Sequence, residues 1–287
     1  MSFIETVLDG KTEKERKNKA VCAVAIVITA ILLIIAIIAF TICQLVGVIG
    51  GDTQKNYKVG KTEKITLDQK AVYSGNMLLL DDEHPYKGEV AGEIIYNPDK
   101  AFLSVRNQNK NHFQATTETL NNLYAMVNAC NTALNDNNLV VTKAYDKDGS
   151  NEAVFSAGTA IAFNYYIIPE ELKESSIADG KNKYAWLYEN AHKYGFIALS
   201  QDSNVFRYVG VDFATAMKTN NLSFEEFTAK LKKATPENPV FLNASKTKAA
   251  YYCKLTNVLV PVKYSYTTCG DNQEGIFVTV NFEANKK

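Results

Sequence analysis

The stretch Ala20–Gly51 carries no charged side chain and reads AVCAVAIVITAILLIIAIIAFTICQLVGVIGG. No other feature limits the chain's options as strongly. About 20 apolar residues, rising ~1.5 Å each in a helix, cross the hydrocarbon core of a bilayer. This run suffices even with some tilt. Lys11, Lys14, Arg16, Lys17 and Lys19 precede it, and basic residues beside a span favour the cytoplasmic side. The pattern predicts a cytoplasmic segment over 1–19, a single-pass anchor over 20–49 and an extracytoplasmic remainder. A cleaved signal peptide has a shorter apolar region and a small-x-small cleavage site, whereas a buried surface helix would show a polar stripe. Phe40, Thr41 and Ile42, directly before Cys43, do not suit lipoprotein processing.

Past the anchor, residues 50–72 are polar and of mixed charge and read as a stalk. Acids and bases balance at 31 each, so the charge excess of a nucleic-acid binder is missing. With 16 Tyr and 14 Phe the chain can build a sizeable core. Met77–Leu80 reads as a short buried strand. From Thr116, the positions Leu120, Leu123, Val127, Cys130 and Leu134 recur at helical spacing, with Glu118 near the positive helix start. The β-rich strings 139–145 and 159–168 read as core strands. A helix over 184–193 stops before Gly195, and short strands follow at 196–199 and 206–209. Ser223-Phe-Glu-Glu226 is a capping box opening a helix to about Lys233. From Ala249 to Phe282, Val, Tyr and Thr alternate around Gly270-Asp-Asn, which predicts a β-rich appendage over 236–287. Helices and strands interleaved this irregularly point to α+β, not a doubly wound sheet.

Cys22 and Cys43 fall in the apolar run, and Cys130 on the apolar face of a helix, where it packs as a small core residue. Cys253 and Cys269 flank a pair of strands outside the membrane, where a disulfide could form, although spacing alone does not fix Cβ geometry. The chain holds no CxxC pair, which disfavours a cysteine-based zinc site. His84, His112 and His192 are its three histidines, each read as a structural or solvated residue.

Several strings resemble the VanY-type D-alanyl-D-alanine carboxypeptidases of the hedgehog/D,D-peptidase fold. They are Asn76-Met-Leu-Leu-Leu80 with His84-Pro85, Trp186-Leu187 with Glu189-Asn-Ala-His-Lys-Tyr-Gly-Phe196, and Phe206-Arg-Tyr-Val-Gly210 followed by Asn220-Asn-Leu-Ser-Phe-Glu-Glu-Phe227. The resemblance spans about 73–235. It implies a small antiparallel sheet flanked by helices and, in a working member, a zinc ion held by His, Asp and His. The matching positions here are Phe155, Ala162 and Val205. Where the family places its catalytic Glu, this chain has Asp202, one methylene shorter. The family's substrate-gripping "SGYR" reads Lys143-Ala-Tyr145-Asp146, so a carboxylate-binding Arg has become an acid. Tyr145, Asp146, Ser156 and Arg207 remain as degenerate cleft positions. A side chain without a lone pair cannot hold Zn²⁺, so the resemblance implies a scaffold with no zinc site and no other cofactor.

The expected function is that of a catalytically inactive, membrane-anchored protein of the bacterial cell membrane. It would bind an envelope protein or a peptidoglycan stem peptide, and not nucleic acid. An active cell-wall carboxypeptidase with displaced ligands is the alternative, and a purely structural role through the anchor a third.

Overall fold

The structure, a computed structural model, describes residues 57–90, 93–95, 104–105, 113–168, 171 and 173–286. The expected anchor over 20–49 and His112 lie outside the described residues. Among the described residues no helix is long and apolar enough to cross a membrane.

The chain enters through β1 (Thr62–Ile65), a segment expected to be stalk. Met77–Leu80, expected as a strand, is instead a buried connector without a strand ladder. The Leu79 amide donates to the Asp271 carbonyl at 3.1 Å. Next come β2 (Glu93–Ile95) and β3 (Ser104–Val105), then β4 (Gln114–Thr116), which pairs antiparallel with β2.

Helix α1 (Thr117–Leu134) begins where the Thr116 hydroxyl accepts from the Thr119 amide, and ends at Asn135, whose φ of 49° takes the left-handed conformation. Its Leu120, Leu123, Val127 and Cys130 are fully buried, as the periodicity predicts. Such aliphatic side chains contribute about 1.5–3 kcal/mol each relative to exposure. They pack on one face of a sheet built from β5 (Leu139–Lys143), β6 (Ala160–Ile168), β7 (Lys173–Ser176), β8 (Phe196–Ala198) and β9 (Val205–Tyr208). With β3 the strand order is β3-β5-β6-β9-β8, and β7 pairs with β6. The β3–β5 pair is parallel and the others antiparallel. Short helix α2 (Ala185–Asn190) continues as a tighter turn to Tyr194 and stops at Gly195, φ 81°. A Cβ there would lie 2.5 Å from the Tyr208 ring, so only glycine fits.

Helix α3 (Val211–Asn220) has no counterpart in the sequence reading. Helix α4 (Phe224–Leu231) opens on the expected capping box, with Ser223 and Glu226 bonded reciprocally. The C-terminal part comprises β10 (Val240–Phe241), β11 (Lys248–Lys254), β12 (Val258–Pro261), β13 (Tyr264–Gly270) and β14 (Gly275–Asn285). Four of these form a sheet in the order β10-β11-β14-β13, while β12 pairs with β1.

Two boundaries predicted from sequence therefore shift. Val59 and Val72, expected in a stalk, are buried with Tyr251, Val258 and Val278 in one core. The β-rich end is no appendage, because Ala250 and Phe277 pack with Ala214, Phe227 and Leu231 of the two preceding helices. At the β13–β14 turn, Asn272 (φ 63°) sends its side-chain amide to the carbonyls of Leu79, His84 and Pro85 at 2.8, 3.1 and 3.3 Å. The two ends of the described chain also meet. Tyr57 stacks on Phe282 with ring centroids 5.1 Å apart, and Lys286 forms an ion pair with Glu63.

The possible Cys253–Cys269 bridge does not form, and both thiols are free. Cys253 faces Ile276 and Cys269 faces Phe277, on strands lying on opposite sides of β14. A whole strand intervenes, and neighbouring strands lie ~4.8 Å apart. The two side chains also emerge on opposite faces, since consecutive residues of β14 alternate. Burial pushes the Cys269 thiol up to about 11, against the pull of Arg207.

Candidate functional site

A tight turn at Ala153–Phe155 leads to Gly158, whose φ of 69° redirects the chain into β6. The Gly158 amide closes that turn on the Phe155 carbonyl at 3.0 Å. One strand away, β9 runs antiparallel to β6 with Ala162 directly opposite Val205. Phe155, Ala162 and Val205, read from sequence as equivalents of three metal ligands, thus converge in space. With Ala160 and Val154 they form one small apolar cluster, in which Phe155 is 2% exposed and Ala162 4%.

Lys143 on β5 sits across from Ala162. Its ammonium lies 5.5 Å from the centre of the Phe155 ring and forms an ion pair with Glu152. A cation on an aromatic face is an attractive arrangement. The convergent positions therefore present hydrocarbon, with a fixed positive charge above it. Zn²⁺ needs nitrogen, oxygen or sulfur donors in near-tetrahedral array, and this donor set does not fit a zinc ion. Elsewhere among the described residues, no group of three or more His, Cys, Asp or Glu is placed to hold a metal.

Asp202, the counterpart of a catalytic base, lies outside this cluster. It sits in the turn between β8 and β9, largely exposed, with the Lys181 ammonium 2.8 Å away. Asp146 is buried in a turn, where one carboxylate oxygen accepts from the Asp148 amide at 3.1 Å and its backbone is clamped by Asn151. The Ser156 hydroxyl donates to the Ala153 carbonyl at 2.5 Å. Tyr145 and Ser156 line an open cavity of about 500 Å³ together with Tyr86, Glu89 and Lys147. Burial raises the Tyr86 phenol above its ordinary range, with Tyr145 and Glu89 adding to the effect.

Arg207 leaves β9 on the same face as Val205 yet does not reach that cavity. Its guanidinium donates to the Leu78 carbonyl and, at 3.4 Å, to that of Asn76, and lies 4.4 Å from the centre of the Phe224 ring. Burial without a carboxylate partner draws it down to about 10. This side chain pins the connector to the sheet, so its place among substrate-binding candidates is corrected to a structural one.

His84 is bonded to Asp81 at 2.7 Å, and His192 lines a different cavity beside β8. Sequence reasoning missed Lys143 as the occupant of the space over Phe155. A cation on a strand paired with Ala162 was a signal, but only the strand register reveals it.

No family model matches the chain. A D-alanyl-D-alanine carboxypeptidase of Enterococcus faecium is 25% identical over 251 residues, covering 76% of this chain and 79% of that protein. Among solved structures, the vancomycin-resistance D,D-dipeptidase VanXYg, crystallised with a D-Ala-D-Ala phosphinate analogue, superposes with a TM-score of 0.55. That match is 20% identical and covers 77% of this chain and all of the other. The fold is thus that of a D,D-peptidase. In sequence, the chain is similar to that D-alanyl-D-alanine carboxypeptidase over three quarters of its length.

Proposed function

We propose that this protein is a catalytically inactive, membrane-anchored member of the D,D-peptidase family that acts by binding at the bacterial cell envelope. One observation carries the reading. The three positions that converge like a metal site are Phe155, Ala162 and Val205, packed as hydrocarbon under the Lys143 ammonium. Asp202, which would serve as base, is held by Lys181 at the surface, and a carboxylate that polarises no bound water has nothing to deprotonate. An envelope protein is favoured over a stem peptide as partner, because Asp146 stands where an Arg would grip a carboxylate and is itself tied into a turn. The uncharged run Ala20–Gly51 and the basic residues before it support a single-pass anchor with its N-terminus in the cytoplasm.

The test is metal content together with product release. Purified full-length protein is expected to carry no stoichiometric zinc after dialysis against zinc and to release no D-alanine from a stem pentapeptide. Bound zinc near one equivalent, or D-alanine release abolished by a chelator, would replace this reading with that of an active carboxypeptidase. The relationship to a D-alanyl-D-alanine carboxypeptidase keeps that second reading in play.

A further inference from the structure

A cavity of about 400 Å³ lies between α2, its continuing turn to Tyr194, the end of α3 and the link from Asn221 to Ser223 that enters α4. Its volume falls at the lower end of the range for small-molecule sites. Met217 and Leu222 give it apolar walls, and Leu199, 37% exposed, adds a third aliphatic group.

Its charge is one-sided. No Asp or Glu lines it, whereas Lys181, Lys218 and His192 do. Both ammonium groups are tied to Tyr188, which lines the cavity as well. Lys181 lies 5.6 Å from the centre of the Tyr188 ring, and Lys218 donates to the Tyr188 carbonyl at 3.1 Å. Tyr188 is itself fixed, because its hydroxyl donates to the Ser203 carbonyl at 2.9 Å. An ammonium carries three donors. Lys218 uses one on that carbonyl and has no ion-pair partner among the described residues. Lys181 is paired with Asp202, whose side chain is 81% exposed, and a pair at the surface holds weakly. Burial lowers the His192 imidazole, and Lys218 and Lys193 lower it further, as a positive local field does. An anion with a hydrocarbon body answers both halves of this arrangement. Its charge gains charge-assisted hydrogen bonds, and its body removes apolar wall from water.

We propose that this cavity binds a small amphipathic carboxylate, a free molecule with one apolar ring or short chain. The carboxylate sits on Lys218 and the hydrocarbon body against Met217 and Leu222. The cavity shares no residue with the Phe155 cluster, so the proposal stands whether or not the protein is catalytic.

The test is photoaffinity labelling of detergent-solubilised full-length protein with 4-(trifluoromethyl-diazirinyl)benzoate, mapped by peptide mass spectrometry. Labelling is expected to saturate, to fall in peptides covering 188–201 and 217–223, and to be competed by unlabelled benzoate or 4-phenylbutyrate. The matching benzamide, of the same shape without the charge, should label about tenfold more weakly, the scale of one hydrogen bond to a charged group. Lys218→Gln should weaken labelling by the benzoate by a similar factor, and Lys218→Arg should retain most of it. Leu222→Glu, which places a carboxylate in the wall, should abolish it, and Phe155→Leu should leave it unchanged. The proposal is overturned if labelling does not saturate below about 1 mM, if it spreads evenly over the chain, or if the benzamide labels as well as the benzoate. It is equally overturned if Lys218→Gln, folded, changes nothing. Should the Lys218 and Leu222 variants fail to fold, the benzoate–benzamide comparison on the unaltered protein decides alone.

Discussion

Replacing Phe155 by Ala asks whether the cluster it forms with Ala162 and Val205 is packed core. Phe→Ala at buried positions costs about 3–5 kcal/mol, according to how far the surroundings collapse. Collapse is restricted here, because Ala160 and Ala162 have no side chain to swing into the void and Val205 is branched at Cβ. Loss of the Lys143–ring contact adds about 0.5–1 kcal/mol at a partly exposed site. The expected destabilisation is about 4 kcal/mol, whereas Phe155→Leu, which keeps most of the volume, should cost about 1–2 kcal/mol. The assay is urea unfolding of the full chain followed by the fluorescence of its single tryptophan, Trp186. The slope with urea should not change, because the exposed surface is the same. The triple variant Phe155→His, Ala162→Asp, Val205→His extends the argument. It should be unstable in chelator and recover about 2.7 kcal/mol at a zinc concentration 100 times its dissociation constant. If Phe155→Ala unfolds within about 1 kcal/mol of the parent, the cavity cost of a buried aromatic has not been incurred, and the picture of a packed apolar plug is wrong.

Three further outcomes follow from the same contacts. Asn272→Ala should cost about 2–4 kcal/mol, combining unsatisfied buried carbonyls with left-handed backbone strain, and Asn272→Gly less, because only the hydrogen bonds are lost; equal urea midpoints for the two would refute that division. Dithiothreitol should leave the unfolding midpoint unchanged, with Cys253 and Cys269 both alkylated after denaturation without reductant; protection of either thiol would restore the disulfide. Cys130 is pushed up to about 12 and Cys269 to about 11, mainly by burial. Folded-state values above the ordinary thiol value mean that the folded form holds protons the unfolded form has released. That contribution is complete below about pH 9 and is lost as pH rises towards 11–12. Midpoints measured from pH 8 to 11 should fall, and Cys130→Ala should flatten the fall; a rise would contradict the sign.

What could be read from sequence was local. The stripe of α1, the Gly195 stop and the Ser223–Glu226 capping box each depend on residues a few positions apart, and each is where the sequence placed it. Helix α3 escaped notice because it starts after Gly210 with no side-chain cap, and its Thr215 and Thr219 blur the apolar stripe. The misjudged boundaries are all long-range. Nothing near Thr62 says that β1 will pair with β12, and nothing near Asn272 says that it will hold the Leu79 carbonyl. The cysteine pairing stayed open for the same reason, since register across β14 decides which face each thiol takes. At the candidate site, the resemblance identified the three positions, but their packing and the arrival of Lys143 depended on the pairing of β5, β6 and β9.

The stacking of Tyr57 on Phe282 and the pairing of Glu63 with Lys286 bring entry and exit of the described body to one pole. Its backbone is therefore nearly a closed ring. A short linker could join the ends and new termini be cut elsewhere without unthreading either sheet. By the same geometry, opposed tension on these ends would first peel β1 from β12, leaving the sheet that carries Ala162 and Val205 unloaded until the seam has parted.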